Sequence, residues 1–99
     1  MKFKSVIQNT AKNDLREAIK WYNTQKKGLG NEFLTIVRQN ISRLRLNPNL
    51  SQIRYFEVHT AILETFPYMI HYYIDSNKNA IIVIGILHTS RNPDIWKNK

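Results

Sequence analysis

At 99 residues the chain is about one ordinary domain, which excludes a multi-domain enzyme with separate cofactor and substrate lobes. Fifteen Lys and Arg against seven Asp and Glu give a net charge of +8, while 42% hydrophobic and 11% aromatic content belongs to a compact globule and not to a disordered basic tail. The absence of cysteine excludes disulfides, thiolate zinc sites and cysteine nucleophiles and fits a reducing compartment.

No apolar run approaches the roughly 18 to 20 residues that span a bilayer, and Met1 to Thr10 is too polar for a signal peptide, so a cytoplasmic location is expected. With no repeat and no linker, residues 1–99 read as a single domain. Lys2 to Gln8 alternates weakly, with Phe3 and Ile7 set apart from Lys2 and Lys4, and predicts a short edge strand. Ala11, Leu15, Ala18, Ile19 and Tyr22 then fall at helical spacing, with Lys12, Arg16 and Lys20 on the other side. Thr10 is the expected N-cap of this helix, Asp14 and Glu17 sit near its positive end, and Gly28 can stop it by turning left-handed.

After the Gly28-Leu29-Gly30 turn, with Asn31 as a second candidate cap, Phe33, Ile36, Val37, Ile41 and Leu44 predict a second helix ending near Asn47-Pro48. The short connection implies an antiparallel helical hairpin, with Arg38, Arg43 and Arg45 off the apolar stripe and wet. Beyond Asn49 the period turns extended: Arg54–His59, Ala61–Thr65, Tyr68–Asp75 and Ala80–His88 are rich in aromatic and β-branched residues. Phe66-Pro67 marks a turn or bulge, and Ser76 to Asn79 a polar hairpin loop. The run from Ala80 to Leu87 does not alternate, which predicts a strand at the sheet centre buried on both faces. The expected fold class is therefore α+β, with an N-terminal edge strand and an antiparallel helical hairpin packed on a C-terminal antiparallel sheet.

Candidates for chemistry are few. His59, His71 and His88 stand 12 and 17 residues apart, which is no metal spacing, and no glycine loop follows a strand to cradle phosphate. No metal and no cofactor is expected. His59 and His71 read as sheet histidines. For His88, which ends the last apolar strand ahead of Arg91, two readings stay open: imidazole and guanidinium engage a phosphate or carboxylate, or His88 bonds a loop carbonyl while Arg91 pairs with Asp94. Metal-free RNA cleavage needs a base, a cation and an acid, and Arg54, His88 and Arg91 are the conceivable members.

Charge is uneven along the chain: +5 over residues 1–30, +3 over 31–54, −3 over 55–76 and +3 over 77–99. A basic face of this kind can meet nucleic acid or an acidic protein.

The words Ala11-x-x-Asp14-Leu15-x-Glu17-Ala18-x-x-Trp21-Tyr22-x-x-Gln25, Gly28-Leu29-Gly30-x-x-Phe33, Leu44 with Asn47-Pro48, Phe66-Pro67-Tyr68-x-Ile70-x-Tyr72 and His88-x-x-Arg91-x-Pro93-x-x-Trp96 occur in this order nearly end to end. In this they resemble the RelE/ParE superfamily of type II toxin–antitoxin toxins. The resemblance implies a small toxin held by a cognate antitoxin whose acidic C-terminal segment wraps it, with Arg38, Arg45 and Arg54 as the antitoxin-binding candidates. One branch of the superfamily cleaves messenger RNA in the ribosome, and the other poisons DNA gyrase. The Lys- and Arg-free stretch from Tyr55 to Ser76, the closing His88-x-x-Arg91-x-Pro93 and the Trp21-Tyr22 word look closer to the ParE branch. That implies a growth inhibitor acting by binding gyrase, with His88, Arg91 and Trp96 as target-binding candidates and no catalytic residue to transfer, although Trp96 also suits packing of the C-terminal tail. A ribosome-dependent endoribonuclease is the alternative, and a non-enzymatic nucleic-acid-binding module a second one, which would need a helix-turn-helix that the long sheet argues against.

Overall fold

The computed structural model describes residues 2–90, so Arg91 and Trp96 lie outside the described residues. The order is β1 (Lys4–Ile7), α1 (Asn9–Gln25), α2 (Leu29–Leu46), β2 (Ile53–Tyr55), β3 (Val58–Ile62), β4 (Tyr68–Asp75) and β5 (Ala80–His88). The strands form one sheet in the order β1-β5-β4-β3-β2, with the last four joined antiparallel as expected. β1 is an edge strand but runs parallel to β5, through the register Lys4↔Ala80 to Ile7↔Val83, so the sheet is mixed. Its centre is β4, not the Ala80 to His88 run. The latter lies next to the edge, yet is still almost wholly buried because β1 closes one side and the helices lie over one face.

The helices pack on the sheet face that carries Ile70, Tyr72, Ile81, Val83 and Ile86, and their apolar stripes supply Ala11, Ala18, Tyr22, Phe33, Val37 and Leu44 to the same core. Tyr22, Phe33, Phe66 and Tyr68 meet within this core at ring-centroid separations of 5.0 to 6.0 Å, mostly edge to face.

Several local expectations change. α1 starts at Asn9 with Gln8 as its N-cap and no side-chain cap; Thr10 lies inside the first turn and donates its hydroxyl to the carbonyl of Ile84 (3.0 Å). Asp14 sits beyond the first turn and accepts the Ile86 amide (3.1 Å). Gly28 is left-handed (φ 87°), but as the N-cap of α2; α1 has already ended with Lys26 as its C-cap. Asn31 therefore falls inside α2, and the cap role passes to Asn23 of α1, whose side-chain oxygen accepts the Gly30 amide at 2.8 Å. Gly30 is a packing residue: a Cβ there would collide with the backbone oxygen of Ile19 and come within 2.7 Å of Asn23 Nδ2.

The single strand expected over Arg54–His59 is broken by a turn at Phe56-Glu57, both at positive φ (42° and 64°), so Arg54 belongs to β2 and His59 to β3. Arg45 is half-buried, not wet, since its Nε donates to the Phe3 carbonyl (2.8 Å) and ties the end of α2 to the chain ahead of β1. Among the described residues no helix is long and apolar enough to cross a membrane.

Candidate functional site

β5 outruns its edge partner. β1 pairs only as far as Val83, so the outer edge of the next residues has no strand beside it. Side chains of α1 fill the gap. Thr10 donates to the Ile84 carbonyl, and the Asp14 carboxylate accepts the Ile86 N–H, which satisfies one acceptor and one donor that an open edge would leave bare. A bulge accompanies this, since His71 pairs with Gly85 and Tyr72 with Val83, leaving Ile84 without an opposite residue on β4.

Past the bulge, the C-terminal end of β5 and the flank of α1 form a groove of about 210 Å³ that includes Asp14, Glu17, Trp21, Tyr68, Leu87 and His88. Trp21 is 55% exposed there, stacked edge-on against Tyr22. His88 is half-buried, edge-to-face with Tyr68 at 5.3 Å. The Ser90 backbone N–H donates to His88 Nδ1 (3.1 Å), and the Ser90 hydroxyl lies 2.7 Å from the same nitrogen. An amide can only donate, so Nδ1 holds a lone pair and a neutral ring carries its proton on Nε2. His88 thus bonds a loop amide, not the loop carbonyl of the blander reading, and Thr89 pins the loop by donating to the Pro67 carbonyl (2.8 Å).

A second hollow, of about 400 Å³, is lined by Gln8, Thr10, Tyr55, His71, Ile84, Gly85 and Leu87. The Tyr55 hydroxyl lies 3.1 Å from Nδ1 of the fully buried His71, and burial pushes the Tyr55 phenol up from its ordinary value, which preserves an O–H to donate. Nothing in the sequence pairs these residues. Their meeting depends on the Phe56-Glu57 turn, which folds β2 back over β3 and brings Tyr55 toward β4. His59 is structural: its Nδ1 donates to the Ser51 carbonyl (2.6 Å), and its ring stacks on Tyr72 at 5.0 Å.

Arg54 does not join His88. Ile53, His59, Tyr72 and Val83 lie in register across the sheet, which places Arg54 three strand spacings from β5 and about five residues short of His88. The separation is on the order of 20 Å, so the two cannot hold one phosphate. Arg38 is exposed on α2, in a shallow hollow shared with Thr35, Gln39, Ser42 and Arg43. Arg38 and Arg45 stand about two turns apart on one side of α2, with Arg45 already holding the chain before β1, while Arg54 lies on β2. Among the described residues no three His, Cys, Asp or Glu side chains cluster as a metal site would require. The helices form an antiparallel hairpin with the α2 stripe turned to the sheet, not a helix-turn-helix with a free recognition helix.

The same arrangement of elements occurs in solved structures. The chain is similar to the chromosomal ParDE toxin–antitoxin system of P. aeruginosa, with TM-score 0.77 and 15% identity over 90% of this chain and 98% of that one. It is also similar to the intact RelBE toxin–antitoxin complex of E. coli, with TM-score 0.70 and 14% identity over 90% and 99%. RelBE2 of Mycobacterium tuberculosis gives TM-score 0.66 and 16% identity over 92% and 95%. At such identities the likeness is one of fold. No curated protein matches the chain. At the level of sequence, residues 6–93 match the model of the ParE toxin of the type II toxin–antitoxin system parDE, and with nearly the whole chain matched, the protein belongs to that family.

Proposed function

We propose that the protein is a single-domain growth inhibitor, held inactive by a cognate antitoxin with an acidic C-terminal segment and acting, once released, by binding DNA gyrase. The observation that supports a binding toxin over a nuclease is the separation of Arg54 from His88: the base, cation and acid that metal-free RNA cleavage needs at one phosphate are not gathered around that pair. His88 instead shares a groove with the exposed indole of Trp21, an arrangement suited to gripping a protein surface, where aromatic side chains supply most of the binding energy. Antitoxin partnership follows from family membership, and the strongly basic surface suits an acidic partner.

The test uses the purified chain in two assays. With gyrase, ATP and supercoiled plasmid it is expected to trap cleaved plasmid, and with programmed ribosomes it should leave the messenger whole. Intact plasmid together with cut messenger would replace this reading with the ribonuclease one. That second reading has one observation in its favour, the hydrogen-bonded Tyr55 and His71 beside the 400 Å³ hollow, since a phenol and an imidazole can exchange a proton.

A further inference from the structure

The basic residues of α1 are arranged by the fold in a way the gyrase reading does not use. Lys12, Arg16 and Lys20 are all exposed and follow one another at four-residue steps. Each step advances about 6 Å along the helix and drifts about 40° around it, so the three cations form a row that runs about 12 Å along the axis while winding through about 80°. Of the two acids of α1, Asp14 points away from these cations, while Glu17, three residues before Lys20, flanks the end of the row. Asp14 is bonded to the Ile86 amide, and Glu17 lines the groove with Trp21 and His88 on the β5 side. Arg16 is steadied by an amide and not neutralised: its Nη1 donates to the Asn13 side-chain oxygen at 3.2 Å. On the neighbouring helix the sole acid, Glu32, stands in the first turn, far from Arg38 and Arg43.

We propose that Lys12, Arg16 and Lys20 form a docking ridge for the phosphate backbone of duplex DNA, independent of base sequence. Three features choose this partner. Backbone phosphates are bound by exposed cations with little burial, and a duplex presents about seven of them along 12 Å of its axis. An acidic protein segment would need an apolar anchor beside the charges, but the exposed large apolar residue of α1, Trp21, lies on the β5 side with Glu17. Single strands are held on exposed aromatic platforms, and the ridge offers only amines and a guanidinium. The inference does not depend on gyrase being the target, because it concerns direct contact with DNA.

The experiment is fluorescence anisotropy of a labelled 20-base-pair DNA of mixed sequence titrated with the full chain from cell-free synthesis, between 50 and 200 mM salt. The triple change Lys12→Gln, Arg16→Gln and Lys20→Gln is expected to weaken binding by about tenfold or more and to lower the slope of log K against log salt by about 2.7, from about 0.9 per phosphate contact. The charge-matched change Lys2→Gln, Lys4→Gln and Lys78→Gln, at exposed sites away from α1, should cost about twofold or less. If the α1 triple melts early, the three single variants replace it, each expected to lower the slope by about 0.9. Equal losses in the two triples would reduce the effect to net charge and overturn the proposal. Tighter binding of a single strand, of an RNA duplex of equal length or of a poly-glutamate peptide of equal charge would overturn it as well.

Discussion

Two residues show how narrowly single side chains fit this fold. Gly30 packs directly against the backbone of α1, and its amide is the donor that Asn23 satisfies. Gly30→Ala puts a methyl group against the Ile19 backbone oxygen, which cannot move without breaking α1, and is expected to cost about 2 to 3 kcal/mol. Gly85→Ala, whose Cβ would meet its nearest atom, Asp14 Oδ2, at 3.5 Å, should stay within about 0.5 kcal/mol of the parent; paired urea melts check both. Tyr72 is fully buried and donates to the Pro48 carbonyl at 2.7 Å. Burial raises its phenol above the ordinary value of 10.0, against a smaller opposing effect of hydrogen bonds with Ser51, and burial raises Tyr22 and Tyr55 as well. Below about pH 10 these tyrosines are protonated in both states. Above it the unfolded chain loses its protons first, so stability falls as pH rises from about 10 toward the raised folded values. Tyr72→Phe should cost about 1 kcal/mol at neutral pH, through the orphaned carbonyl, and should flatten the alkaline decline in urea melts between pH 8 and 11.

At the scale of elements, the edge of β5 is where chain order and hydrogen bonding meet. β1 is too short to cover β5, and the helix that follows it completes the edge with side chains. Asp14→Ala removes a charge-assisted acceptor and leaves the Ile86 amide bare, at a cost of about 2 kcal/mol. Amide exchange measured by NMR should show Ile86 exchanging faster while Ile81, paired inside the sheet with Ile74, keeps its protection. The sequence carried no trace of this role, because Asp14 and Ile86 are 72 residues apart and an acid early in a helix reads first as a dipole partner. Both helices were legible, since their apolar stripes repeat at 3.6 residues over 17 and 18 residues. The hairpin between β2 and β3 was not, because Phe56 and Glu57 are residues that seldom take positive φ and give no turn signal. The parallel pairing of β1 was equally hidden, because a four-residue strand carries no mark of its direction.

For the whole molecule, the resemblance that named the family rested on the order of short words from Ala11 to Trp96, and the match over residues 6–93 bears it out. The site was less legible: residue type alone set Arg54 beside His88, and the strand order separates them by three strand spacings. Net charge is the molecular property with the clearest consequence for partnership. With a net charge of +8 on the chain and, under the proposed function, an acidic antitoxin segment as partner, long-range attraction should speed encounter with the antitoxin more than it strengthens the final contacts. The association rate constant measured by stopped flow is therefore expected to fall about tenfold or more between 50 and 500 mM salt, as the Debye length shrinks from well above to well below 10 Å, with the dissociation rate nearly constant. Arg38→Gln, at an exposed rim position of α2, should lower the association rate by about twofold or less. Arg45→Gln should instead lower the melting temperature, because that side chain bonds the Phe3 carbonyl. A salt-insensitive association rate would mean that the antitoxin is recognised by its apolar contacts and that the basic surface serves another ligand.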